Sequence, residues 1–125
     1  MKVQMLSVVS LILLLSSSVY GVDTEKRIEK YMSKIKKLEK TTYKALNACK
    51  KEEACIETQL LEYEEQRNKL IKSKLKVHPK AYLKKGKKVL KKEKTCLMKK
   101  SQNAKKCFMK FEEGKKELIN EIVQR

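Results

Sequence analysis

Tryptophan is absent from this chain, and in 125 residues there are only one proline, one histidine and three glycines. With so few glycines and prolines beside so much Lys, Glu and Leu, a turn-rich β architecture is excluded, and helices joined by short connections are expected. The single histidine, His78, leaves no Ser-His-Asp set with a supported orienter. Beside Pro79 it reads as a turn or capping residue. There is no metal-ligand cluster and no Gly-rich phosphate loop, so no catalytic residue, metal or other cofactor is expected and the protein is not read as an enzyme. No Asn-x-Ser/Thr acceptor occurs either, so N-glycosylation is not expected.

Acidic residues are missing from one stretch only. Residues 22–68 carry 11 Lys plus Arg against 10 Asp plus Glu, whereas residues 69–110 carry 17 Lys against one acid, Glu93. The last 15 residues hold three basic and four acidic groups. The excess behind a formal net charge of +17 is therefore local. A mixed surface would serve solubility; an uncompensated one repels itself and is relieved by an anionic partner. Arginine is absent from it, occurring only at Arg27, Arg67 and Arg125, and lysine lacks the planar fork that reads phosphate or guanine edges bidentately. A sequence-specific nucleic-acid reader is not expected.

A long apolar run occurs once. Lys2, the apolar stretch from Met5 to Leu15, Ser16 to Ser18 and then Val19-Tyr20-Gly21 read as a secretory signal cleaved after Gly21. The run falls short of the about 20 apolar residues of a membrane span. Residues 22–125 then form a single secreted domain. A domain of this size gains from cross-links. Cys49, Cys55, Cys96 and Cys107 are expected to supply two, since their Cys-x5-Cys and Cys-x10-Cys spacings are not those of zinc sites.

Apolar residues recur at three- and four-residue steps in four stripes. The first, opened by Asp23 or Thr24 as cap, runs through Ile28, Met32, Ile35, Leu38, Thr42, Ala45 and Leu46. The second runs through Ile56, Leu60, Tyr63, Arg67, Leu70 or Ile71, and Leu75, and ends before His78-Pro79. The third starts at Pro79 and holds Tyr82, Leu83, Val89, Leu90, Cys96 and Leu97. After a break at Ser101-Gln102-Asn103 the fourth holds Cys107, Phe108, Phe111, Leu118, Ile119, Ile122 and Val123. The expected fold is an all-α, small disulfide-bonded bundle of about four helices. On one continuous helix Cys49 and Cys55 would stand about 9 Å apart and Cys96 and Cys107 about 16 Å, too far to bond. Either corners intervene and the pairs are local, Cys49 with Cys55 and Cys96 with Cys107, or the bonds are nested, Cys49 with Cys107 and Cys55 with Cys96. The local pairing is preferred.

On the third helix, Lys80, Lys84, Lys85, Lys87, Lys88, Lys91, Lys92 and Lys94 occupy the arc opposite the apolar residues. With Lys99 and Lys100, and Lys105 and Lys106 beyond, they form the candidate polyanion-binding surface. Its pattern resembles heparin-binding helices. Glu93 falls inside the apolar arc, where it is expected partly buried and paired with a Lys or Tyr. The acids of the second helix, Glu52, Glu53, Glu57, Glu62, Glu64 and Glu65, read as a solvated or interhelical ion-pair face. Tyr31, Tyr43, Tyr63, Tyr82, Met32, Phe108 and Phe111 read as core.

A short signal, about 100 Lys-rich residues, two disulfides and no catalytic motif resemble the small secreted helical proteins of blood-feeding arthropod saliva, mosquito saliva especially. That resemblance rests on architecture over the whole chain. It implies interference with host defence: haemostasis, complement or inflammation. Insect odorant-binding proteins share the architecture but not the cysteine spacings. The expected function is that of a secreted, monomeric, non-enzymatic effector. Its partner is an anionic glycan, polyphosphate or an acidic extracellular host protein. The alternatives are a cationic antimicrobial protein that binds membranes, or a structural or carrier protein whose charge only solubilises it. With Glu93 among the apolar residues and no Trp anchor, membrane attack is the less favoured reading.

Overall fold

The computed structural model describes the backbone of residues 2–123 and the side chains of residues 23–123. The described residues form six α-helices: α1 (Lys2–Ala48), α2 (Glu53–Leu70), α3 (Pro79–Lys85), α4 (Lys87–Lys99), α5 (Ala104–Lys110) and α6 (Glu112–Val123). Among the described residues there is no strand, and no helix is long and apolar enough to cross a membrane. The side chains of the expected signal segment lie outside the described residues. Asp23 and Thr24 do not cap α1, which already runs from Lys2. With no proline near them, they sit inside a continuous helix, where both meet Arg27 one turn on.

Six helices replace the four expected because two of the four are kinked. Gly86, between α3 and α4, adopts φ −91° and ψ 9°, and Phe111, between α5 and α6, adopts φ −102° and ψ 7°. Both are in the sparsely allowed bridge region, yet the i→i−4 ladder continues through them, as in Gly86 N–H donating to the Tyr82 carbonyl and Leu90 N–H to that of Gly86, each at 2.8 Å. The two kinked arms meet at their glycines. A Cβ on Gly86 would collide with the Leu118 side chain, and one on Gly114 would press on Val89 at 3.2 Å. Side chains of the opposite arm packed against each glycine, not an unusual φ, are what favour glycine here.

Helix α1 is the spine: it packs along α2, α5, α6 and both short irregular helices. The core gathers Tyr31, Ile35 and Leu46 from α1, Ile56, Leu60 and Tyr63 from α2, Tyr82 and Leu97 from α3 and α4, and Phe108, Leu118 and Ile119 from α5 and α6. The second stripe buries as its spacing implies, Arg67 included. Leu83 departs from the third stripe and is 39 % exposed, at the lip of a groove toward α2.

Both disulfides are local. Cys49–Cys55 closes the α1–α2 corner and Cys96–Cys107 the α4–α5 corner, with Cα separations of 5.6 Å and 5.8 Å. Lys50 and Lys51 turn the first corner at φ 50° and 68°, and Lys76 ends the π-helical turn Ile71–Leu75 at φ 60°. Three lysines thus occupy the left-handed region that costs a side-chain-bearing residue about 1–2 kcal/mol. The second corner is a 3₁₀ turn, Ser101–Asn103, at the break expected there. His78 caps α3, its Nδ1 accepting from Lys80 N–H at 3.1 Å, with Pro79 in the first turn.

Candidate anion-binding surface

Helix α4 sorts its charges by face. Glu93 is 2 % exposed, whereas all ten candidate lysines from Lys80 to Lys100 lie exposed. The one acid of residues 69–110 is thus withdrawn from the surface, and the exposed charge of that segment is lysine alone.

The lysines divide among different settings. Lys80, Lys84 and Lys85 belong to α3, which packs on α6, and Lys85 reaches Glu121 at 3.7 Å. Lys87, Lys91 and Lys94 edge the groove toward α2, where Lys94 meets Glu64 at 3.5 Å. Lys91, Lys92, Lys99 and Lys100 surround a cleft of about 550 Å³ between α4 and α5, which a fifth lysine, Lys110, completes. Lys88 is exposed and lines neither cleft. Among the described residues, no carboxylate lies within 4 Å of any of these five cleft lysines. Lys105 instead faces a separate crevice beside Lys36 and Tyr43, and Lys106 is exposed.

The cleft's geometry comes from the cystine beneath it. Cys96 lines the floor, and its bond to Cys107 ties α5 to α4. One turn beyond Cys107, Lys110 is delivered opposite Lys99 and Lys100, its Nζ 5.5 Å from the centre of the Phe111 ring. Lys110 lay outside the residues singled out from the sequence. The local Cys96–Cys107 pairing was the signal that could have found it. The arrangement offers several ammonium groups around an aromatic wall, suited to a polymer of sulfate, phosphate or carboxylate groups. Among the described residues there is no cluster of three or more His, Cys, Asp or Glu able to hold a metal.

The interior holds a second set of charges. Lys115 Nζ donates a hydrogen bond to Glu39 Oε2 at 2.6 Å and forms an ion pair with Glu93 Oε2, also at 2.6 Å. Burial pushes the Glu93 carboxyl up, and Lys115 only partly pulls it back. Burial works against the Lys115 ammonium as well, but Glu93 and Glu39 together outweigh it and its pKa rises. Arg67 joins them, 5 % exposed, with its guanidinium carbon 5.8 Å from the Tyr63 ring centre and 5.4 Å from that of Tyr82. Two carboxylates and two cations make the quartet neutral. Burial raises the phenol pKa values of Tyr31, Tyr63 and Tyr82 around it.

Fold and surface together define the class: a small, all-α, disulfide-bonded protein with a lysine-only face. No family model matches the chain, and no curated protein or solved structure is similar to it.

Proposed function

We propose that this is a secreted, non-enzymatic effector that binds anionic polymers, or acidic protein surfaces, through the lysines of α4 and the cleft against α5. The observation that carries the reading is the set of five exposed lysines around one cleft, none with a carboxylate within reach among the described residues. Like charges held together at this density are costly unless a partner neutralises them. Two disulfides fit an oxidising, extracellular setting. Cleavage after Gly21 would release the domain to that setting. The resemblance to arthropod salivary proteins extends the proposal to interference with haemostasis, complement or inflammation in a host. Membrane attack is a weaker reading. The apolar faces of α4 and α6 are spent on the core, and the exposed large apolar residues, Leu61, Leu83 and Met109, lie on three different helices.

Retention on immobilised heparin, compared with a cation exchanger of matched charge density, tests the reading. The wild type should elute from heparin at the higher salt. The Lys92→Glu/Lys99→Glu/Lys100→Glu variant should lose that excess with helicity and Tm unchanged. Equal elution of the wild type from both columns would sink it.

A further inference from the structure

Tyr63 Oη and Arg67 Nε are buried polar atoms without a hydrogen-bond partner among the described residues, and both residues line one groove, of about 370 Å³, between α2 and α4. Glu93 lines it too, but its Oε2 is held by Lys115 at 2.6 Å. Native interiors rarely leave such atoms unmatched, and two in residues of one concavity call for a shared explanation. Arg67 is the most demanding. Its guanidinium has five N–H donors, of which one reaches Asn68 Oδ1 at 3.3 Å. No carboxylate lies within 4 Å of it among the described residues. Around these polar groups the walls are Leu60, Leu83, Leu90 and Leu97, and the rim carries Lys87, Lys91 and the Lys94–Glu64 ion pair. Apolar walls with a few convergent polar groups are the ordinary form of a small-molecule site.

We infer that this groove binds a small organic carboxylate with an apolar chain or ring, its head group on the Arg67 guanidinium and the Tyr63 hydroxyl. The charge pattern selects an anion. Of the two acids that line the groove, Glu93 is neutralised by Lys115 at 2.6 Å and Glu64 by Lys94 at 3.5 Å. The other two rim lysines, Lys87 and Lys91, would repel an ammonium head group. A neutral alcohol would leave the guanidinium without a carboxylate in direct contact in a partly dry site, where charge-assisted hydrogen bonds are about twice as strong as neutral ones. The inference is independent of the polyanion reading, because it rests on buried atoms at the opposite edge of α4 from the cleft against α5.

Titration calorimetry of the intact disulfide-bonded protein with laurate, lauryl alcohol and laurylamine at physiological salt tests it. Laurate should bind one to one, and the alcohol and amine at least about tenfold more weakly, the factor that one charge-assisted hydrogen bond supplies. Arg67→Met should lose about tenfold or more in laurate affinity. Tyr63→Phe removes only an unpartnered hydroxyl, so it should fold as well as wild type and bind laurate several-fold more weakly. Should Arg67→Met fail to fold, Tyr63→Phe decides. Equal affinity for laurate and the alcohol, or wild-type affinity in Tyr63→Phe, overturns the proposal. So does loss of laurate binding in Lys92→Glu/Lys99→Glu/Lys100→Glu, which would place the ligand on the exposed lysines.

Discussion

Four charges that sum to zero gather in and at the edge of the interior, the buried Glu93, Lys115 and Arg67 and the half-buried Glu39, whereas residues 69–110 present lysines to solvent with no acid among them. The same ammonium group thus serves two ends. Lys115 is 7 % exposed and held between two carboxylates, so its charge joins α6 to α1 and α4. Among the described residues, the lysines of the cleft between α4 and α5 have no such partner, which leaves them available to something outside the molecule. A lysine's environment, not its number in the composition, decides which it does.

The comparison breaks most sharply at Lys115. Lys115→Met leaves the buried Glu93 and the half-buried Glu39 without their cation, and denaturant unfolding should show a loss of about 3–5 kcal/mol. Lys92→Met, on the surface, should stay within about 0.5 kcal/mol of wild type. Adding Glu39→Gln and Glu93→Gln to Lys115→Met should restore much of the loss. If the two single variants are equally stable, the interior network is not structural.

The disulfides sharpen it next. Loop-closure entropy assigns about 3 kcal/mol to Cys96–Cys107 and about 2 kcal/mol to Cys49–Cys55, from sequence separations of 11 and 6. Stability should therefore fall somewhat more in Cys96→Ser/Cys107→Ser than in Cys49→Ser/Cys55→Ser. Excess retention on heparin should separate them further, falling only in the first pair, because only that cystine floors the lysine cleft. Equal retention in both would detach binding from the cleft.

Alkaline titration gives a smaller, graded effect. Tyr31, Tyr63 and Tyr82 keep their protons in the folded state above the ordinary phenol value of 10.0, and Lys115 above 10.5. The unfolded chain releases those protons first, so stability is full below pH 10 and falls as pH rises beyond it. Each group contributes about 1.4 kcal/mol per pH unit while it remains protonated only in the fold. Thermal melts between pH 8 and 12 should show Tm steady at first and dropping steeply above about 10. A Tm that rose in that range would contradict the burial of all four groups.

Much of this was legible in the sequence, for reasons that differ by residue. The stripe through Ile56, Leu60, Tyr63, Arg67 and Leu75 is local periodicity, and it buried as written. His78 and Pro79 carry their own capping chemistry, and the inward place of Glu93 followed from its position on the apolar arc. Lys115 was not legible. In the run Gly114-Lys115-Lys116-Glu117 it looks like any surface lysine, and its burial depends on Glu39, 76 residues away. The kink at Phe111 and the left-handed lysines 50, 51 and 76 were equally hidden, since neither residue type announces its backbone. Gly86 falls on the apolar arc of the expected third helix, and the Leu118 side chain that presses on it comes from a distant part of the chain.

Lys91 borders both the groove beside α2 and the cleft beside α5. An anion that claims it on one side removes an attraction from the other, so occupants of the two sites should weaken each other. Thermodynamic linkage makes that penalty mutual and equal. One side chain would then act as a toll shared by two ligands, letting a long polyanion outside the molecule release a small acid held within it.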